Sequence, residues 1–334
     1  MNGTSATPVR ILREAEIRSL IGPREALAAV RDAFGRLARG QATLPGVIGL
    51  DIPEHEGEVH VKGAYLHGSA YYSIKEASGF YGNPGRGLPA SSGVVLVFEA
   101  TTGFLAAILA DNGYLTELRT GAAGALAADL LARRDVDTVG MIGSGSQARY
   151  QLEALLGVRR PRRVLVHGRS AERAAAYAHA MSERLELAVE VARSAREAVE
   201  ASDVVVTTTP ARQPLVRAAW LRPGAHVTAV GSDGPDKREL EGAVLVRAGK
   251  VVADSLQQCL RLGEIHHAVA EGLLTPERVY AELGELAAGL KPGRTSDTEV
   301  TVADLTGVGV QDAAVADLVT RAAIAADMGE TIVL

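Results

Sequence analysis

The sequence predicts an α/β protein built on a doubly wound parallel sheet, and three observations carry that prediction. From about residue 120 to about 300, short apolar runs alternate with helix-like stretches, the rhythm of parallel βαβ units. One of those runs leads straight into glycines and then a helix, "DTVGMIGSGSQARYQLEALLG" at 137–157. The chain is 334 residues long and 47% hydrophobic, more than one typical core needs and suited to two domains. Composition also excludes some partners. A net charge of −5 without a basic run leaves no nucleic-acid footprint. The start, "MNGTSATPVR", lacks the apolar region of a signal peptide, and no stretch of about 18 apolar residues offers a membrane span. The single cysteine, Cys259, cannot form an internal disulfide; it reads as a small core residue in a reducing, cytoplasmic setting.

The elements follow in order. Residues 10–40 read as helical, with Pro23 suited to a first turn and Leu27, Val30, Phe34 and Leu37 at helical spacing. From about 46 to 110 the period changes to two. "GEVHVKGAYLHGSAYYSIKEASG" and "SSGVVLVFEATTGFLAAILAD" read as antiparallel strands, with "GFYGNPGRGLP" a loop between them. Candidate parallel strands are 137–142, 163–167, 203–208, 225–230 and 250–253. "GVQDAAVADLVTRAAIAADMG" reads as a long final helix that returns to pack on the first domain.

The glycine stretch has the context a dinucleotide site requires, a strand before it and a helix after it. Gly143 permits the tight turn, and Gly145 lets the backbone approach a pyrophosphate. Ala148 keeps helix and strand close, and Ser146 and Gln147 open the helix whose amides meet the phosphates. The second strand ends in Gly168-Arg169-Ser170, with no acid to accept from the ribose hydroxyls. An arginine and a hydroxyl there suit a 2′-phosphate, so NADPH is expected in preference to NADH, with NADH possible. The alternative is that Ser170 caps the next helix and Arg169 is solvated.

Other polar residues stand in apolar, glycine-rich contexts. Lys75 and Ser73 share one face of the strand in "YYSIKEASGF", and Arg119 stands at the entry to an alanine-rich helix. Asp233 and Lys237 follow a strand, at the end where doubly wound folds bind ligands. Asp304 and Thr306 precede the final helix. His266 and His267 are adjacent and do not share a helix face, so no metal is expected.

Seven separated motifs together resemble the ornithine cyclodeaminase/mu-crystallin family: "VKGAY", "IKEASGFYGNPGRGLPASSG", "YLTELRTGAAGA", "IGSGSQA", "VVVTTTP", "VGSDGPDKREL" and "DLTGVGVQD". The resemblance implies a discontinuous α+β substrate-binding and dimerisation domain, 1–118 with 306–334, around a Rossmann domain, 119–305. It implies a homodimer. It implies that Lys75 and Arg119 bind a substrate carboxylate; Ser92 and Gly309 are expected at the substrate, as are Lys62 and His60, which alternate on one strand and whose alternative is a solvated sheet face. Lys75 and Asp233 are the catalytic pair it implies, Asp233 handling the proton on the substrate nitrogen with Lys237 in support. Cofactor contacts are expected from Arg119, Thr120, Gly143, Gly145, Ser146, Gln147, Ala148, Gly168, Arg169, Ser170, Thr208, Thr209, Pro210, Val230, Gly231, Ser232, Asp233, Lys237 and Gly307.

The chain departs from ornithine cyclodeaminases near the substrate. His60 and Lys62 stand where those enzymes carry a glutamate and a methionine, and Gly46 stands where they carry an arginine. A more cationic pocket suits a second carboxylate, a neutral side chain or a cyclic imino acid better than ornithine. The expected activity is an NAD(P)H-dependent oxidoreductase acting on C–N bonds, reducing a ketimine beside a carboxylate to an amino acid. The alternatives are a cyclodeaminase that recycles bound NAD+, and a non-catalytic mu-crystallin-like binding protein.

Overall fold

Period-two alternation over residues 57–110 folds as long antiparallel strands, and the later strand–helix rhythm folds as parallel βαβ units. The computed structural model describes residues 7–333. The first elements are β1 (Pro8–Arg13), α1 (Glu14–Leu20), α2 (Pro23–Ala38), β2 (Ala42–Thr43), β3 (Ile48–Ile52), β4 (Gly57–Leu66), β5 (Tyr71–Phe80), β6 (Ser91–Glu99) and β7 (Leu105–Ala110). Next come α3 (Tyr114–Leu131), β8 (Thr138–Ile142), α4 (Ser146–Leu156), β9 (Arg163–His167), α5 (Ala171–Leu185), β10 (Ala188–Val191), α6 (Ala195–Glu200), β11 (Val204–Thr207) and β12 (His226–Ala229). The chain closes with α7 (Gly242–Arg247), β13 (Lys250–Ala253), α8 (Leu256–Cys259), α9 (Gly263–Ala270), β14 (Ala281–Glu282), α10 (Leu283–Ala287), β15 (Thr301–Asp304), α11 (Gly309–Ala325) and β16 (Glu330–Val333). Two units result. One takes the chain up to Arg119 together with the stretch from Val308 on; the other is Thr120–Gly307.

The first unit holds a mixed sheet in the order β16-β1-β7-β6-β5-β4-β2, with β3 also on β4. Register sets two different faces, because side chains alternate across a strand. One face carries Lys62, Ala64, Ser73, Lys75, Val95 and Val97, all buried, and α11 and α2 pack on it. The other carries Ile48, Leu50 and Ile74, which are 65%, 58% and 39% exposed. The amino end corrects the sequence reading, since 10–40 is not helical throughout. Residues 8–13 are β1, parallel to β7 and antiparallel to β16. Two strands distant in sequence supply its backbone partners, and no local pattern announces them.

The second unit is an all-parallel sheet, β10-β9-β8-β11-β12-β15-β13-β14. Strands β8, β11, β12, β13 and β15 are buried at every position, as covering on both faces demands. The order reverses at β8, which has β9 on one side and β11 on the other. Connections leaving those strands diverge at their carboxyl ends and open a crevice there. One core layer gathers Val139, Met141, Leu152 and Tyr177, the other Val205, Val227, Val244, Ile265 and Val302. Strands β10, β14 and β15 lie outside the sequence reading. They are two to four residues long, and β15 ("TVAD") places polar residues at both ends, so only pairing between β12 and β13 defines it.

Candidate functional site

At the carboxyl end of β8 the backbone turns at Gly143, whose φ of 121° is left-handed and whose added Cβ would collide with the Thr208 hydroxyl. Gly143 N–H donates to His167 O at 2.8 Å and Thr208 N–H to Ile142 O at 2.9 Å, which ties this loop to β9 and to the segment after β11. Gly145 caps α4 with φ −88°, and a Cβ added there would meet nothing within 4 Å. Gly145 and Ser146 are exposed, so the first amides of α4 face open space that a side chain would fill. Ala148 is fully buried, and Gln147 Oε1 accepts from Gln151 Nε2 at 2.9 Å, a nitrogen that also donates to Thr120 O at 2.9 Å. Gly168 is set by a close approach too, since a Cβ there would lie 2.8 Å from Ser144 Oγ. These residues leave an open turn at the amino end of α4, the kind of place where doubly wound folds hold a pyrophosphate.

Further along the same carboxyl edge lie the loops after β11 and β12. Lys237 Nζ donates to Asp233 Oδ1 at 2.7 Å, with Asp233 43% exposed and Lys237 11%. The Ser232 hydroxyl donates to Lys237 O, and His267 Nε2 bonds the same carbonyl at 2.8 Å. Gly231 must be glycine because a Cβ would run into the backbone of Thr209. Thr208 and Thr209 are half-buried, and Pro210 is exposed. Val230 N–H donates to Thr207 O at 3.0 Å. Gly307, in the left-handed region at φ 80°, donates its N–H to Asp254 Oδ2 at 2.6 Å.

One residue absent from the sequence reading organises this edge. Glu239 is fully buried and accepts from Thr209 N–H at 2.6 Å, Thr209 Oγ1 at 2.7 Å, Thr207 Oγ1 at 2.7 Å and Gly231 N–H at 2.8 Å. A single carboxylate thus holds both loops. Burial pushes its carboxyl up to about 7 against the pull of those donors. Its own backbone N–H and that of Leu240 are held by the Glu264 carboxylate at 2.7 and 3.0 Å.

In the first unit, strand register places Lys62 directly opposite Lys75 on the covered face. Arg119 is six residues into α3 rather than at its entry, and it reaches the first turn of α11. Its Nε donates to Asp312 Oδ1 at 2.9 Å and its Nη1 to Gln311 Oε1 at 2.8 Å. Lys75 Nζ lies 3.6 Å from the same Asp312 oxygen. Lys62, Lys75, Arg119 and Asp312 are 6%, 2%, 4% and 2% exposed, so the charges share a desolvated space. Burial pulls the Lys75 ammonium down to about 7, opposed by Asp312 and reinforced by Arg119 and Lys62. Burial alone would raise the Asp312 carboxyl, yet Arg119, Lys75 and Lys62 hold it below the usual range. Asp111, whose charge also reaches Lys75, is pushed up to about 6 by burial. Lys62, Lys75 and Arg119 thus stand beside Asp312 in a desolvated space, where directed N–H donors and positive charge suit an anionic group.

The sequence-predicted residues divide accordingly. Lys62, Lys75 and Arg119 come together, and His60 shares their sheet face by alternation. Ser92 does not join them. It is exposed and pairs with Ser78, on the face opposite Lys75. Gly309 is the first residue of α11 and serves packing, because a Cβ there would collide with Gly63 O of β4. Asp304 accepts Ile265 N–H at 2.9 Å and Thr306 donates to Asp254, both as internal partners of the second sheet's carboxyl edge. Asp312 and Gln311 went unread, although a Gln-Asp pair in the first turn of an alanine- and valine-rich helix is itself a signal.

Comparison with known proteins places the chain among relatives of full length. The model of the ornithine cyclodeaminase/mu-crystallin family matches residues 9–326. An archaeal alanine dehydrogenase dimer with bound NAD superposes at TM-score 0.91 with 39% identity, covering 98% of this chain and 99% of that one. The Delta(1)-pyrroline-2-carboxylate reductase of Thermococcus litoralis, in complex with NADH and L-proline, gives 0.93 and 33%, covering 97% and 100%. The iminosuccinate reductase of Paracoccus denitrificans, in complex with NAD+, gives 0.86 and 31%, covering 98% and 99%. These structures correct the expectation of NADPH, since all three hold NAD in its oxidised or reduced form. Ser170 accepts Arg173 N–H at 3.2 Å as the N-cap of α5, so a hydroxyl after β9 has a structural role that requires no 2′-phosphate.

Proposed function

The chain belongs to the ornithine cyclodeaminase/mu-crystallin family, and on that premise we propose that it is an NAD(H)-dependent oxidoreductase that reduces the carbon–nitrogen double bond of an imine beside a carboxylate, giving an amino acid. The observation that carries this reading is the buried cluster of Lys62, Lys75 and Arg119 beside Asp312, whose charge and N–H donors suit a substrate carboxylate. Gly143–Ala148 and the loops tied by Glu239 would hold the dinucleotide, which supplies a hydride when bound. Lys75 and Arg119 fix the substrate carboxylate by charge and by directed N–H donors. Asp233, held by Lys237 at 2.7 Å, carries the proton for the substrate nitrogen or stabilises its cation.

Lys62, with His60 on the same sheet face, suits a neutral or cyclic side chain or a second carboxylate better than a terminal amine. We take the protein to be a cytoplasmic homodimer. Its lone thiol, the exposed apolar face of Ile48, Leu50 and Ile74, and the dimeric alanine dehydrogenase support that reading. NADH oxidation followed by absorbance tests the activity, with pyrroline-2-carboxylate, iminosuccinate, and pyruvate plus ammonia offered in turn. Turnover of at least one is expected. Ammonia release from ornithine or lysine without net NADH consumption would replace this reading with a cyclodeaminase.

A further inference from the structure

At the amino ends of β8, β9 and β11, the end of the sheet away from Gly143 and Thr208, the second unit carries a groove of about 910 Å³. Six arginines line it against three aspartates, and with Asp129, which pairs with Arg159 at 3.1 Å just outside the lining, an excess of two positive charges remains on a chain whose net charge is −5. One of the six is structural. Arg159 is buried and donates to Ala128 O, Asp129 O, Ala132 O and Arg133 O, closing the carboxyl end of α3. The floor is different. Arg133 and Arg222 both donate to Oδ1 of Asp203, whose Oδ2 is already taken by Asp137 N–H at 2.8 Å and Thr138 N–H at 3.1 Å. One carboxylate oxygen thus serves two guanidinium groups, and Arg133 Nε is buried with no hydrogen-bond partner among the described residues. Arg134 and Arg160 stand exposed on the rim.

We propose that this groove is a second ligand site, for a small polyanion that presents several phosphate or carboxylate groups. Gathering like charges around one groove costs repulsion, which an anion converts into attraction. Planar guanidinium forks match phosphate and carboxylate oxygens in pairs, which a scatter of ammonium groups would not do. The volume exceeds that of a single phosphate and falls in the range of sites for nucleotide-sized molecules. The site owes nothing to the proposed reaction, and its ligand would act on the second unit from the edge opposite the dinucleotide loop.

Calorimetry on the intact chain saturated with NADH tests it, because NADH then fills the other place where a phosphate chain could bind. Inorganic tripolyphosphate is titrated at about 0.15 M salt, where loosely held counterions are screened. One binding event is expected, weakened at least about tenfold by Arg134→Ala with Arg160→Ala, while NADH affinity and turnover stay unchanged. A parallel titration with citrate distinguishes the sources. Citrate binding at the same strength assigns the groove to polyanions in general, and tripolyphosphate binding alone assigns it to phosphate compounds. Heat no greater than that of ionic-strength-matched potassium chloride, binding untouched by the double variant, or tripolyphosphate binding that appears only without NADH would overturn the proposal.

Discussion

Lys75 keeps its charge only because an anion stands beside it. Burial favours the neutral amine, and Asp312 at 3.6 Å offsets part of that, which leaves the ammonium titrating near 7. The charged form exists below that value and is lost as pH rises through it. If Lys75 grips the substrate carboxylate, KM for the imino acid should rise about fivefold between about pH 7 and about pH 8. Lys75→Arg, permanently charged, should remove that rise, and initial-rate kinetics across pH decides between them. Asp233 belongs to the same scale. Asp233→Asn keeps the shape and deletes charge and titration, so kcat should fall roughly 10²–10⁴-fold while NADH affinity barely changes. Stopped-flow hydride transfer at a near-normal rate in that variant would move the proton elsewhere.

Among loops and helices, the contrast between two neighbouring glycines separates folding from binding. Gly145→Ala places a methyl in open space at an ordinary φ, so the melting temperature should stay within about 1 °C while the NADH Kd rises at least about tenfold. Gly143→Ala forces a left-handed residue against Thr208 and should cost about 2 kcal/mol or more of stability. Fluorescence titration with NADH beside thermal melting reads both. Glu239→Gln acts on two loops at once, since an amide cannot accept from four donors. Urea denaturation should show a loss of about 2–4 kcal/mol, and NADH binding should weaken with it. Unchanged stability and NADH affinity together would show that the Thr207–Thr209 and Gly231 segments hold their places without this carboxylate.

The largest scale concerns the uncovered face of the first sheet. Ile48 and Leu50 on β3 and Ile74 on β5 form an apolar surface that the helices of their own unit leave bare, since α2 and α11 occupy the opposite face. Light scattering at micromolar concentration should give twice the chain mass. Ile48→Lys with Leu50→Lys should shift it toward the monomer, because charges would then have to be buried in the contact. A monomeric wild-type chain would leave that face to another occupant.

Sequence alone determined the parallel unit and the glycine turn that opens α4. An apolar strand, Gly143 and Gly145, and the face of Ala148, Leu152 and Leu155 lie within about twenty residues, so local periodicity and backbone sterics suffice to read them. It also marked Lys75, Arg119 and Asp233 as polar residues out of place in their surroundings. Tertiary structure decided what those residues meet. Asp312 joins Lys75 across 237 positions of sequence, β1 finds its neighbours in β7 and, at the far end of the chain, β16, and Glu239 links loops after two different strands. That the hydroxyl of Ser170 caps α5 was decided the same way, by one hydrogen bond from Arg173 N–H. Periodicity fixes which side of an element a residue occupies, whereas the partner on that side comes from distant segments whose packing no local pattern encodes.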